Sequence, residues 1–190
     1  GGIISSVVPQ ITTIVKLAVE KILKKNVLVV GAGIKTGLNI RIDNPAQLGS
    51  DLVVDSVAAI VEYPAPLLIF DLGTANTVCV IDKNKNYIGG MIYPGIGVSL
   101  DSLTAHASQL GGISIEAPEH MIGKNTTECM KSGLIYSSAA AMDGIIDRLQ
   151  EQLGGEATVI ATGGLAKKIV PHCRREIILD DDLLLKGLAI

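Results

Sequence analysis

Apolar residues along this chain alternate between two spacings, short continuous runs and helical repeats. Residues 3–8 form a run suited to a buried strand, and Pro9 follows where a first helical turn tolerates it. Beyond it Ile11, Ile14, Val15, Ala18, Ile22 and Leu23 fall on one helical face. The β-branched run 26–30 predicts a second strand, ended by Gly31. Asn44-Pro45 supplies a cap and first turn for a helix that continues through Val53, Val57 and Ile60. The opening third therefore reads β-α-β-α.

Two prolines in Tyr63-Pro64-Ala65-Pro66 cannot sit inside that helix, so a lobe boundary is expected there, dividing residues 1–65 from 66–190. Three closely spaced strands are predicted at 67–71, 77–82 and 87–92. Lys83-Asn84-Lys85-Asn86 forms the polar turn between the last two, which gives an antiparallel meander. Helical patterns follow at 98–110 and 126–153, then a strand at 158–161, a helix from Leu165, a short strand at 177–179 and a final helix. The second lobe thus reads βββ and then α/β. The first shows no meander of its own, although its β-α-β-α resembles the closing half of the second. The expectation is that a piece precedes Gly1, with no signal peptide at the start as written.

Hydrophobic residues make up 48% of the chain and charged ones 18%, a balance that suits strands covered on both faces together with an oligomer interface. No uninterrupted apolar stretch approaches the roughly 18 residues of a membrane span, so no membrane segment is expected. The net charge is -3 and the basic clusters are short, Lys24-Lys25, Lys167-Lys168 and Arg174-Arg175, which argues against nucleic acid as a partner. Cys79, Cys129 and Cys173 lack metal-ligand spacing and read as reduced thiols of a cytosolic protein. His106, His120 and His172 sit in no nucleophile motif and read as surface or structural residues, so hydrolase chemistry lacks its parts.

The strongest local signal is Phe70-Asp71-Leu72-Gly73-Thr74-Ala75-Asn76-Thr77, where a buried strand ends at a carboxylate and turns through small residues. Small side chains let the backbone approach phosphate, and the hydroxyls of Thr74 and Thr77 can donate to phosphate oxygens, with Asp71 beside them able to hold a cation. The same residues also suit an ordinary hairpin in which Asp71 caps the turn and Gly73 supplies a positive φ. Ala161-Thr162-Gly163-Gly164 closes a strand and opens a helix, a place that favours anionic groups, although glycine there also serves packing alone. Together the two turns suggest two walls of one nucleotide cleft.

Asp51 follows Gly49-Ser50 in the first turns of a helix, where it complements the helix dipole and, at a cleft edge, could accept a proton from a substrate hydroxyl. Asp55, one turn on, reads as structural. Thr126 after Gly123-Lys124-Asn125 is first a helix cap and second a ligand candidate. Gly31-Ala32-Gly33 is not a dinucleotide fingerprint, because position 36 is Thr36 and no acidic residue follows at the right distance.

Taken jointly, Ser5-Ser6-Val7-Val8-Pro9, Lys35-Thr36-Gly37-Leu38 through Asp43-Asn44-Pro45, Gly49-Ser50-Asp51, Asp71-Leu72-Gly73-Thr74-Ala75, Gly89-Gly90 with Pro94-Gly95, Gly123-Lys124-Asn125-Thr126 and Thr162-Gly163-Gly164 resemble type III pantothenate kinases nearly end to end. The resemblance implies an α/β fold of two ribonuclease-H-like lobes, as in actin-like ATPases and sugar kinases. Residues 1–65 would be the closing part of an incomplete first lobe, and 66–190 the second. It implies ATP-dependent phosphorylation of pantothenate with Mg2+, in a cytoplasmic homodimer whose sites are completed across the subunit interface. Asp51 would take the proton of the primary hydroxyl, Gly49, Ser50, Asp51, Leu52 and Thr126 would contact pantothenate, and Ile42 would face it. Gly73, Thr74, Thr77, Gly163 and Gly164 would meet ATP, and Asp71 would hold a monovalent cation, K+ or NH4+.

Two positions and one missing segment depart from the family pattern. Many members carry Arg where this chain has Leu52 and Tyr where it has Ile42, which leaves room for a different small alcohol as substrate. The family also opens with a strand and an Asp-x-Gly-Asn-Thr phosphate loop that nothing before Ile3 supplies. The expectation is therefore a fragment of an active kinase, with a non-catalytic ligand-binding or regulatory relative as the alternative.

Overall fold

A computed structural model describes residues 1–31 and 34–190; Ala32 and Gly33 of the early glycine run lie outside them. The chain runs β1 (Gly2–Ile4), α1 (Pro9–Leu23), β2 (Val27–Val29), β3 (Asn39–Ile40), a 3-10 turn (Pro45–Gln47) and α2 (Ser50–Glu62). It continues with β4 (Leu67–Leu72), β5 (Ala75–Ile81), β6 (Asn86–Pro94), α3 (Ile96–His106) and α4 (Thr126–Leu153). Last come β7 (Thr158–Thr162), α5 (Ala166–Ile169), β8 (Ile178–Leu179) and α6 (Leu183–Ala189).

The main sheet has six strands in the order β3-β6-β5-β4-β7-β8. β4, β5 and β6 form the expected antiparallel meander, while β7 pairs parallel with β4 and β8 parallel with β7. A meander whose first strand lies centrally and is extended by parallel crossovers is the ribonuclease-H-like arrangement. β4 takes the centre because its apolar run has no polar face to show water: Leu67, Leu68, Ile69, Phe70 and Leu72 are all buried.

Strand alternation divides the core in two. Leu68, Phe70, Leu72, Val78 and Val80 point to one face, covered by Ile135, Ala139, Met142 and Ile146 of α4. Leu67, Ile69, Cys79, Ile81 and Ile160 point to the other, covered by Ala58 and Ala59 of α2 and Leu183 of α6. α2 is held there at both ends of its contact with α6, where Gly187 lies against the Val54 carbonyl and buried Asp180 accepts hydrogen bonds from the Tyr63 hydroxyl and Lys186 Nζ, both at 2.7 Å.

The turn between β5 and β6 forms as its residues dictate: Asp82 Oδ1 accepts the N–H groups of Asn84 and Asn86 at 2.8 and 2.9 Å, and Lys85 takes φ 61°. α4 spans the expected 126–153, but its cap is Asn125 rather than Thr126. Asn125 Oδ1 accepts the Glu128 N–H at 2.9 Å, and the Glu128 carboxylate accepts the Lys124 N–H in return.

Four features differ from expectation. α2 starts at Ser50, not after Asn44, because Leu48 and Gly49 are extended, at ψ 126° and 142°, and interrupt the helical ladder after one 3-10 turn. β3, a strand the apolar pattern does not mark, is recruited by β6 through register Asn39↔Asn86 and a 2.6 Å side-chain bond between those two asparagines. β1 ends at Ile4, since the Ser6 hydroxyl accepts the Val8 N–H and turns the chain into α1. α1 forms where its periodicity puts it, yet it buries no residue, and Ile14 and Ile22 are 67% and 78% exposed. No described helix is long and apolar enough to cross a membrane.

Candidate active site

The site grows from the carboxyl end of β4. Asp71 lies directly opposite Thr77 on β5 and Thr162 on β7, so the three share one face of the sheet. That face is the one α2 covers, and α2 presents Asp51 and Asp55 one turn apart on a single stripe. Parallel strand ends of this kind are where open α/β sheets place ligands.

Two turns meet beside Asp71. The Leu165 N–H donates to the Leu72 carbonyl at 3.1 Å, which fastens the β7–α5 turn onto the end of β4. Gly163 sits between them at φ 93°, and a Cβ there would strike the Asp71 carboxylate and come within 2.6 Å of the Leu72 nitrogen. Thr74 and Gly164 stand exposed at the rim, while Thr77 Oγ1 is buried without a hydrogen-bond partner among the described residues. An orphaned hydroxyl and a space cleared of side chain are what a phosphate and its counter-cation would occupy, so these residues fit such a group. α5 is a single turn, too short for the helix dipole expected behind Gly163-Gly164; what that turn offers an anion is its bare backbone. Gly163→Ala should cost about 2 kcal/mol of stability, from the left-handed φ and the collision with Asp71, and should weaken nucleotide binding. Chemical denaturation and nucleotide titration of the variant check both effects.

Next to this corner lies a cavity of about 510 Å³ whose walls include Asp51, Leu52, Gly49, Ile42 and Thr77. Five of the residues singled out from the sequence therefore line one space. The Asp51 carboxylate folds back over Gly49, where any Cβ would collide with it, and its Oδ1 accepts the Leu52 N–H at 2.9 Å. Ser50 is engaged otherwise: its hydroxyl accepts from the Ser5 hydroxyl at 2.9 Å and lies 3.4 Å from the Ser6 carbonyl. Thr126 is exposed on the first turn of α4 and is not part of the cavity wall.

Electrostatics single out a residue that its sequence position marked only as structural. Asp55 is 1% exposed and its Oδ1 has no partner among the described residues. Burial, with the charges of Asp71, Asp51 and Asp180 added, pushes its carboxyl up to about 8, so it is largely protonated at neutral pH. Asp71 is also raised, by burial first and then by Asp51. The sequence did hold a signal for Asp55, its spacing of four from Asp51 on an apolar helix. Asp180 carried none, since only folding brings it near.

The remaining candidates stay outside the site. Burial pushes the thiols of Cys79 and Cys173 up to about 12, which leaves them inert. His172 packs edge-on against Tyr136, and His106 Nδ1 lies 2.8 Å from the Ser102 carbonyl. Among the described residues, no three His, Cys, Asp or Glu side chains converge on a metal-sized point.

A family model for type III pantothenate kinase matches residues 1–148. A curated type III pantothenate kinase from Bacillus cytotoxicus is 46% identical over 188 residues, which span 99% of this chain and 72% of that protein. Among solved structures, one from Campylobacter jejuni named for the Baf family of transcriptional activators gives a TM-score of 0.62 at 20% identity, over 98% of this chain and 79% of the other. Ethanolamine utilization protein EutJ from Carboxydothermus hydrogenoformans gives 0.53 at 14% identity, over 95% of this chain and 72% of the other. Those two structures share the fold.

Proposed function

Since this chain belongs to the type III pantothenate kinase family, we propose that it transfers the terminal phosphoryl group of ATP to the primary hydroxyl of pantothenate, giving 4'-phosphopantothenate at the first step toward coenzyme A. The observation that carries this is the meeting of two halves at one place: a cavity with the Asp51 carboxylate in its wall and, through Thr77, the cleared corner beside Asp71.

In this reading the hydroxyl oxygen bonds to phosphorus as the bond to ADP breaks, and the hydroxyl proton passes to the Asp51 carboxylate. The Leu52 N–H fixes that carboxylate, and Gly49 leaves it room. Ile42 and Leu52 shape the cavity around the acceptor. Thr74 and Thr77 with the backbone of Gly73, Gly163 and Gly164 hold the phosphates. Asp71 would hold a monovalent cation, and a nucleotide bound here would bring Mg2+; bound there, such charges would offset negative charge developing on the transferred phosphoryl group. Ser50 supports Asp51 by tying the start of α2 to Ser5 and Ser6. Thr126, exposed at the head of α4, serves the acceptor site of a second copy in a homodimer. Residues 1–65 act as the closing part of one lobe and 66–190 as the other, in the cytoplasm.

The test is ATP-dependent phosphorylation of pantothenate by the full-length gene product with K+ present; absence of product from folded protein would remove the proposal. Asp71→Asn should abolish most of the stimulation by K+ or NH4+, lowering turnover about tenfold at saturating cation. Rates measured across a cation titration check this, and a variant with unchanged cation dependence would take Asp71 out of that role.

A further inference from the structure

The turn between β4 and β5, which carries Gly73 and Thr74, is fastened from two sides. On one side the Leu165 N–H holds the Leu72 carbonyl at 3.1 Å. On the other stands Gly95, between Pro94 at the end of β6 and Ile96 at the start of α3, and its N–H donates to the Thr74 carbonyl at 3.1 Å. The approach is close: a Cβ at Gly95 would lie 2.2 Å from the Gly73 carbonyl oxygen and 2.6 Å from that of Thr74. Gly95 has φ -71° and ψ 164°, angles open to any residue, so its own conformation does not require glycine. Only the contact with the turn does. The Gly95 carbonyl is held in its place by the Ser99 N–H at 3.0 Å and the Ser99 hydroxyl at 2.9 Å, which makes the start of α3 a firm support. Gly95 is buried against residues of its own chain.

We infer that Gly95 is a positioning residue for phosphoryl transfer, setting the Gly73-Thr74 turn in its phosphate-binding shape from the first turn of α3. The inference rests on the phosphotransfer reading above and adds a residue to it. Carbonyl oxygens repel an anion, so a turn receives phosphate well only when its N–H and hydroxyl groups face the ligand and its carbonyls do not. Here the carbonyls on either side of Gly73, those of Leu72 and Thr74, are each taken up by an N–H, from Leu165 and Gly95. Both bonds exist without nucleotide, so little ordering of the turn is left to the moment of binding. A methyl group at Gly95 would have to displace Gly73 and Thr74 together, and Thr74 is the residue read as meeting ATP.

The experiment measures kcat and both KM values for Gly95→Ala in the full-length gene product, with calorimetric titration of ATP alongside. Gly97→Ala is the control, since Gly97 lies in the same first turn of α3 and a Cβ there meets nothing within 4 Å. Gly95→Ala should raise KM and Kd for ATP about tenfold and leave KM for pantothenate within about twofold, while Gly97→Ala matches wild type. A residue that served stability alone would lower the amount of active enzyme and leave both KM values in place. Ser99→Ala removes one bond to the Gly95 carbonyl without adding bulk and should raise the ATP values about threefold, which carries the test if Gly95→Ala does not fold. ATP values unchanged in the folded variant, raised equally by Gly97→Ala, or raised only in step with KM for pantothenate would overturn the inference and leave the kinase reading standing. Folded wild-type protein that forms no product would remove the kinase reading and the inference with it.

Discussion

Asp51→Asn should lower kcat/KM for pantothenate phosphorylation about a thousandfold, in the middle of the range for loss of a positioned proton acceptor. The asparagine oxygen is still able to accept the Leu52 N–H that Asp51 Oδ1 accepts at 2.9 Å, so the start of α2 and the cavity wall are kept. What disappears is the negative charge that takes the hydroxyl proton in the proposed reaction, a contribution made only in the transition state, so the loss should fall on kcat with KM little changed. Steady-state kinetics with a thermal melt separate this from unfolding, and a loss smaller than about tenfold would take Asp51 out of the role. A second consequence is independent of turnover. Because Asp51 helps raise both Asp55 and Asp71, its neutralisation lets both carboxyls move down toward ordinary values. Carboxyl titration by NMR reads that movement directly.

Legibility of this chain depended on whether the information was local. β4, β5, β6 and α4 were readable because an apolar run, a polar turn and a helical repeat each state their own structure, and α4 ends where 126–153 says it should. β3 was not, since Asn39 and Ile40 become a strand only because β6 offers an edge at Asn86. The break before α2 was hidden because Asn44-Pro45 is a sound helix start in isolation, and two extended residues override it. α1 is the opposite case: its amphipathic pattern predicts both a helix and a burial, and the helix forms while Ile14 and Ile22 remain in the open. Within the site, Asp51, Asp71 and Gly163 stood out by their place at strand and helix ends. The pairing of Asp71 with Gly163 was expected as two walls of one cleft, whereas the approach of Asp51 was not legible in the local pattern, because it comes from α2 lying across one face of the sheet. Asp55 was visible as a residue and invisible as a charge problem, since its neighbours Asp71 and Asp180 are 16 and 125 positions away.

Asp55→Asn is expected to stabilise the protein at alkaline pH and to do little at acid pH. Asp55 titrates near 3.8 when unfolded and at about 8 when folded, burial being the main cause. Between those values the folded state holds a proton that the unfolded chain has released, so the unfolded state binds fewer protons and stability falls as pH rises. The loss begins near pH 4, grows through neutrality and is complete above about pH 8. Asparagine has no proton to lose and keeps the shape, so its advantage follows the same curve. Near pH 8.5 it should reach about 5–6 kcal/mol, or about 10–24 °C in melting temperature for a chain of this size. Melts of wild type and variant at pH 5 and pH 8.5 measure it, and an equal difference at both would refute the assignment. The sign also explains how the site can hold so many acidic side chains. A protonated Asp55 adds no charge to the corner where the proposed reaction uses Asp51 to receive a proton and Asp71 to hold a cation. A third charge on α2 would compete with both, and the carboxyl avoids this by staying protonated in a dry position.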